Sequence, residues 1–189
     1  MKTPVEVSAR HVHLSESDIK KLFGDNHSLT YKRGLSQPGQ FLCEERVELV
    51  GPKGSFGSVA ILGPARSQTQ VEISLTDSRK LGISTFIRES GDLEGTAGCI
   101  LRSQTGEVKI DSGVIIAKRH IHMHTSDAEK IGAENGQICK VKIESKERSL
   151  IFDDVVIRVS DKFALAMHID TDEGNASNWN EKISGSIIL

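Results

Sequence analysis

Two short stretches decide how this chain reads: Ala9-Arg10-His11-Val12-His13-Leu14 and Lys118-Arg119-His120-Ile121-His122-Met123. In an extended strand, residues i and i+2 point to the same side. Each stretch therefore throws two imidazoles onto one face, while Val12 or Ile121 packs the other way. A similar corner follows each: Ser15 with Ser17-Asp18 in the first, Thr125-Ser126-Asp127 in the second. The copies start about a hundred residues apart, too far for a solenoid period. Nothing between them reads as a flexible linker, so they predict two similar, interlocked units.

Working outward, strand signals dominate. Alternating or β-branched runs occur at Val5–Val7, Val47–Val50, Val59–Leu62, Val71–Leu75, Val114–Ala117, Ile138–Ile143, Val155–Val159 and Ala164–Ile169. Turn sequences such as Gln37-Pro38-Gly39, Gly51-Pro52-Lys53-Gly54 and Asn135-Gly136 punctuate the chain. Helical pieces are short: Ile19–Phe23 stopped by Gly24, Asp77–Leu81 by Gly82, and Asp127–Ile131 by Gly132. Helices this short cannot stand alone and must cap something larger. The expectation is a mainly β fold of two interlocked β-barrels with short capping α-helices, related by the internal HxH repeat.

Composition narrows the partners. The chain has 189 residues and a formal net charge of −2, from 24 Lys plus Arg against 26 Asp plus Glu. Such a balance, with only 4% aromatics, argues against nucleic acid. No apolar run approaches the ~20 residues needed for a membrane helix. Cys43, Cys99 and Cys139 form no CxxC pair, which fits a reducing cytoplasm. The N-terminus carries no apolar signal segment. Histidine stands out, with seven residues: four in the two stretches and His124 directly after the second.

Two imidazoles two residues apart on a strand can chelate one cation, with a third ligand arriving from elsewhere. A single HxH is weak as a signal; two copies, each behind an arginine, point to metal. Imidazole-rich, thiol-free sets favour Zn²⁺, although other divalent first-row ions accept the same donors. His168, in Ala166-Met167-His168-Ile169-Asp170, reads either as a third ligand or as a half-buried histidine satisfied by Asp170 or Asp172. The segment Thr171-Asp172-Glu173-Gly174 reads as a polar loop. Glu72 alone reads as a solvent-facing residue on the polar side of its strand. His124 falls where the first copy has Ser15, a helix corner, and His27 reads as solvated. Arg10, Arg66, Arg88 and Arg119 are candidate anion binders. The glycines of Ser90–Gly98 read better as turns than as a phosphate cradle.

Taken together, certain runs resemble the PduL-type phosphate propanoyltransferase (phosphotransacylase) family. They are Val7–Leu14, Leu35–Phe41, Leu49–Gly54, Thr69–Ser74, Gly113–Ala117, Arg119–Met123 and His168–Glu173. The resemblance covers nearly the whole chain. It implies reversible conversion of acyl-CoA (propanoyl or acetyl) and phosphate into acyl phosphate and CoA. It also implies two intertwined barrels, one from residues 1–9 plus 118–189 and one from 10–117, with a two-metal site between them. One zinc would fall to His11, His13 and Glu72, the other to His120, His122 and His168. Arg66 matches the family's phosphate-handling arginine, and Arg88, Arg10 and Arg119 are further substrate-binding candidates. A homodimer is implied. The long N-terminal extension that targets some members to a microcompartment is missing, which suggests a free cytoplasmic enzyme. A dinuclear zinc hydrolase acting on a thioester and a non-catalytic metal-binding module are the alternatives.

Overall fold

The computed structural model describes residues 1–189. In chain order its elements are β1 (Lys2–Ser8), β2 (His11–His13), α1 (Glu16–Phe23), β3 (Tyr31–Gly34), β4 (Phe41–Val50), β5 (Ser55–Gly63) and β6 (Gln70–Glu72). Then come α2 (Leu75–Leu81), β7 (Ile87–Arg88), β8 (Ala97–Arg102), β9 (Glu107–Ala117), β10 (His120–Met123) and α3 (Thr125–Ile131). The chain closes with β11 (Ile138–Ile143), β12 (Leu150–Val159), β13 (Ala166–Asp170), α4 (Thr171–Ala176) and β14 (Ser184–Ile188).

The chain divides into two units: Met1–Ser8, Ser36–Pro38 and Lys118–Leu189 in one, Ala9–Leu35 and Gly39–Ala117 in the other. In the first, six strands close in the order β1-β13-β10-β12-β11-β14. In the second, β8 pairs with both β9 and β4, closing the ring β4-β5-β2-β6-β9-β8, with β3 and β7 added outside it. The fold is thus mainly β, two six-stranded barrels with four short helices. Sequence put Ser36–Pro38 with its chain neighbours; the structure groups it with the first unit. There the Gln37 side chain donates to the Ala164 carbonyl at 2.9 Å and accepts from the Ala164 amide at 3.2 Å.

Both rings use one pairing pattern. β2 runs parallel to β5 and antiparallel to β6, which is parallel to β9. β10 runs parallel to β12 and antiparallel to β13, which is parallel to β1. The N-terminal strand β1 therefore holds the place in its ring that β9 holds in the other. Small apolar side chains fill both interiors, as alternating inward positions of small barrels require. Val12, Leu14, Leu49, Ile61, Leu101 and Val114 sit in one core, and Ile121, Met123, Val141, Ile143, Ile157 and Met167 in the other. Few aromatics are needed.

The helices explain how the strands end. Ser15, Ser74, His124 and Asp170 are the N-caps of α1, α2, α3 and α4, and each side chain accepts a hydrogen bond from a backbone N–H of the first turn. Each cap lies two residues after a histidine or glutamate of the clusters described below: His13, Glu72, His122 and His168. The run expected as a strand through Leu75 therefore stops at Glu72, because Ser74 turns the chain into α2. Thr171–Gly174, read as a loop, is the start of α4. Asp170 accepts from the Glu173 amide at 2.9 Å, and the Glu173 carboxylate accepts from the Asp170 amide at 3.0 Å, a reciprocal capping box. His27 is not merely solvated: its Nε2 pairs with Glu45 at 2.8 Å and its ring packs on Phe23.

Candidate functional site

Register brings the separate signals together. His11 lies directly across from Glu72 on the β2–β6 pair, and His13 across from Gln70. His120 lies across from His168 on the β10–β13 pair. Two sets result, His11–His13–Glu72 and His120–His122–His168, and in each the potential ligand atoms lie within 4.8 Å of one another. In the first set the Nε2 atoms of His11 and His13 stand 3.5 and 3.9 Å from Glu72 carboxylate oxygens. In the second the rings of His120, His122 and His168 gather with centroids 4.6–5.2 Å apart. Phe163 closes on His122 at 4.3 Å.

Neighbouring groups fix the tautomers. His11 Nδ1 donates to the Ala9 carbonyl and His120 Nδ1 to the Lys118 carbonyl, both at 2.8 Å. In each case Nε2 is left as the ring nitrogen with a lone pair. His168 presents Nδ1 to the Glu6 carboxylate at 3.7 Å, and Glu6 also accepts from the Ser36 hydroxyl at 2.6 Å. Glu6, which the sequence reading did not consider, thus places a carboxylate beside the His168 ring. Sequence held only a faint hint, a lone polar residue between Val5 and Val7; the Glu6–His168 pairing is a parallel register that no turn announces.

Electrostatics favour a cation at the first set. Burial opposes ionisation of Glu72, but the charge and hydrogen bond of His11, then His13 and Arg66, hold its carboxyl well below the usual range. Burial, then the charges of His11 and Arg66, pushes His13 down to about 3, so its ring is neutral near neutral pH. His11 goes the other way, because Glu72 outweighs its burial. The result is one carboxylate and two imidazoles in a nearly dry site: side chains of His11, His13 and Glu72 are 8%, 4% and 12% exposed. Two imidazoles, with His13 neutral and the His11 Nδ1 proton held on a carbonyl, and a carboxylate, without a thiol, suit a borderline divalent cation. The residues fit a metal.

Around Glu72 runs a polar network that sequence reasoning did not find. Gln70 Nε2 donates to Glu72 Oε1 at 2.6 Å and to Ser90 Oγ at 2.8 Å. The Gly91 amide donates to Gln70 Oε1 at 2.8 Å. Arg66 Nη1 donates to Ser90 Oγ at 3.0 Å, and that hydroxyl donates to Glu72 Oε1 at 3.3 Å. Arg66 is therefore linked to the carboxylate of the first set through one serine. A signal existed: Gln70 is two residues before Glu72 and shares its face of the strand.

The other arginines are engaged differently. Arg10 forms a two-bond fork with Asp77 at 2.8 and 2.9 Å and lies over Phe56 at 4.1 Å. Arg119 meets Glu173 at 3.2 Å and lies over Phe152 at 5.2 Å. Both acids occupy the third position after their helix caps, so each arginine ties a capping helix to an HxH strand. Arg88 stands 3.5 Å from Asp92 and over the Phe86 ring, two residues before Ser90. His124 belongs to neither set; its Nδ1 caps α3 and contacts Ser126. Cys43, Cys99 and Cys139 are buried in the cores, and burial pushes their thiols up to about 11, 12 and 11.

Comparison with known proteins covers nearly the whole chain. A family model described as phosphate propanoyltransferase matches residues 4–180. The phosphate propanoyltransferase of Alkaliphilus metalliredigens is 53% identical over 188 residues, 100% of this chain and 88% of that protein. Those of Clostridioides difficile and Thermotoga maritima are each 53% identical, over 97% and 93% of this chain and 88% and 84% of theirs. At that identity over that length, the chain belongs to the phosphate propanoyltransferase family of transferases.

Proposed function

We propose that this protein is a zinc-dependent phosphate acyltransferase, interconverting acyl-CoA (propanoyl-CoA or acetyl-CoA) plus phosphate with acyl phosphate plus CoA. The observation that carries the reading is the His11–His13–Glu72 set joined to Arg66 through Ser90. A donor set for a cation and an anion-binding side chain share one network there. His11, His13 and Glu72 would hold one zinc, and His120, His122 and His168 the other. Bound there, zinc supplies Lewis acidity toward a carbonyl or thiolate.

The chain's own residues do the rest. Arg66 presents a planar donor fork matched to phosphate oxygens, aligning phosphate for attack on the thioester carbonyl. Arg88, on the same segment as Ser90, adds cationic character for the phosphates of CoA; Arg10 and Arg119 act by holding α2 and α4 in place. The Ser90 oxygen accepts from both Arg66 and Gln70, so its lone pairs are occupied and it is a poor nucleophile. The cysteine thiols are buried and protonated at neutral pH. Transfer therefore proceeds by direct displacement without an acyl-enzyme. The buried, unoxidised cysteines also fit a reducing cytoplasm.

The test is free CoA released from propanoyl-CoA and acetyl-CoA, with and without phosphate. An acyltransferase releases thiol only when phosphate is present. A dinuclear zinc hydrolase would release it in phosphate-free buffer, and a metal-binding module in neither; either result sinks the proposal.

A further inference from the structure

The two donor sets differ in what stands behind the third ligand. On β13 the residue two positions before His168 is Ala166, whereas on β6 the residue two positions before Glu72 is Gln70. Gln70 is 1% exposed, so its amide must find every partner inside the protein. It does so in only one orientation. Its Oε1 meets the Gly91 N–H, and its two N–H donors meet Glu72 Oε1 and Ser90 Oγ. Turned over, the amide would set oxygen against carboxylate and N–H against N–H.

That orientation settles the next atom too. Ser90 Oγ has two lone pairs and one proton. Both lone pairs are taken, by the Gln70 amide and the Arg66 guanidinium, so the proton is directed to Glu72 Oε1 at 3.3 Å. Glu72 Oε1 thus receives two hydrogen bonds and stands 3.9 Å from His13 Nε2, while Oε2 faces His11 Nε2 at 3.5 Å.

We propose that Gln70 is a positioning residue: by binding Oε1 of Glu72 it fixes the rotation of the carboxylate between His11 and His13, and by binding Ser90 it keeps Arg66 and Glu72 in one geometry. Ala166 has no such task, since an imidazole has no second oxygen to restrain, and His168 takes its orienting partner from Glu6 instead. The inference rests on the reading that His11, His13 and Glu72 bind a metal.

The experiment is zinc titration of the metal-stripped full chain against a chromophoric chelator, for wild type, Gln70→Met and Gln70→Asn. Methionine keeps the length without hydrogen bonds; asparagine keeps the amide but is a methylene too short to reach. Wild type takes up two equivalents. In both variants one equivalent weakens about 10- to 100-fold, the range for loss of a partner behind a metal ligand, while the other is unchanged. kcat falls with the weakened equivalent resupplied at saturating zinc, and the metal-free protein still unfolds in one cooperative transition, at a somewhat lower temperature because the Gly91 N–H loses its partner. If Gln70→Met loses both equivalents together with its fold, Gln70→Asn decides. Two equivalents of wild-type affinity in either folded variant would overturn the role of Gln70. Failure of wild type itself to bind zinc would instead overturn the metal reading beneath it.

Discussion

Glu72 changes character between sequence and structure more than any other residue. Read along its strand it is an ordinary solvent-facing acid; placed across from His11 it is nearly buried and ionised against its burial. Glu72→Ala should abolish most turnover, by at least about 100-fold for a lost metal ligand, with little change in the unfolding temperature of the metal-free protein. Near-normal turnover would remove it from the site. A second residue-scale expectation concerns Asp18, on α1. Burial opposes its charge, but hydrogen bonds from Thr69 (2.7 Å), Lys21 and Ser15 hold its carboxyl below the ordinary 3.8. A depressed carboxyl contributes stability that is full above its unfolded value and is lost as pH falls through the folded one. Asp18→Asn should therefore cost about 1–3 kcal/mol near pH 7, and the gap to wild type should close as pH drops below about 4. Chemical denaturation at several pH values reads this directly; a gap constant with pH would contradict it.

Elements were legible where local chemistry announces them. Three helices were marked by acidic first turns and by Gly24, Gly82 and Gly132, and the structure places them within a few residues of expectation. The fourth is not legible as a helix although Asp170 and Glu173 spell a capping box, because Thr171–Ala176 is only six residues long, polar, and contains Gly174 and Asn175. Asp170→Ala removes that cap and should lower stability by about 1 kcal/mol, seen as a shift in denaturation midpoint without change in slope. The glycine between two halves of β9 makes a sharper case. Gly113 has φ +119°, and a Cβ there would meet the Thr69 carbonyl at 2.6 Å, next to β6. Gly113→Ala should destabilise by about 1–3 kcal/mol and displace the strand that carries Gln70 and Glu72. A stability equal to wild type would show that the backbone there relaxes.

At the scale of the whole molecule, the paired HxH corners pointed to two units, and the structure has two closed six-stranded rings with the same pairing pattern. What could not be read was which strands run parallel. Hairpins declare themselves through their turns, but the pairs β2–β5, β6–β9, β10–β12 and β1–β13 join distant strands whose register no turn fixes. The antiparallel pairs β2–β6 and β10–β13 also join strands far apart in sequence, so Glu72 is a candidate ligand only by resemblance, His168 reads either way, and Glu6 and Gln70 are not legible at all. Because β1 closes its ring between β13 and β14, removing residues 1–8 should leave six-strand closure impossible in that unit. If His120, His122 and His168 hold zinc as proposed, loss of that equivalent with retention of the other is the expected result; two retained equivalents would mean that the ring closes without β1.

On the proposed function, these donor sets and Arg66 move an acyl group from CoA to phosphate. The most direct measurement of that transfer is phosphorus NMR of propanoyl-CoA and phosphate incubated with the protein as prepared, after chelation, and after zinc is restored. The account predicts an acyl phosphate resonance in the first and third samples and none in the second. Acyl phosphate formed equally well after complete metal removal, or none formed by the zinc-loaded protein, would contradict it.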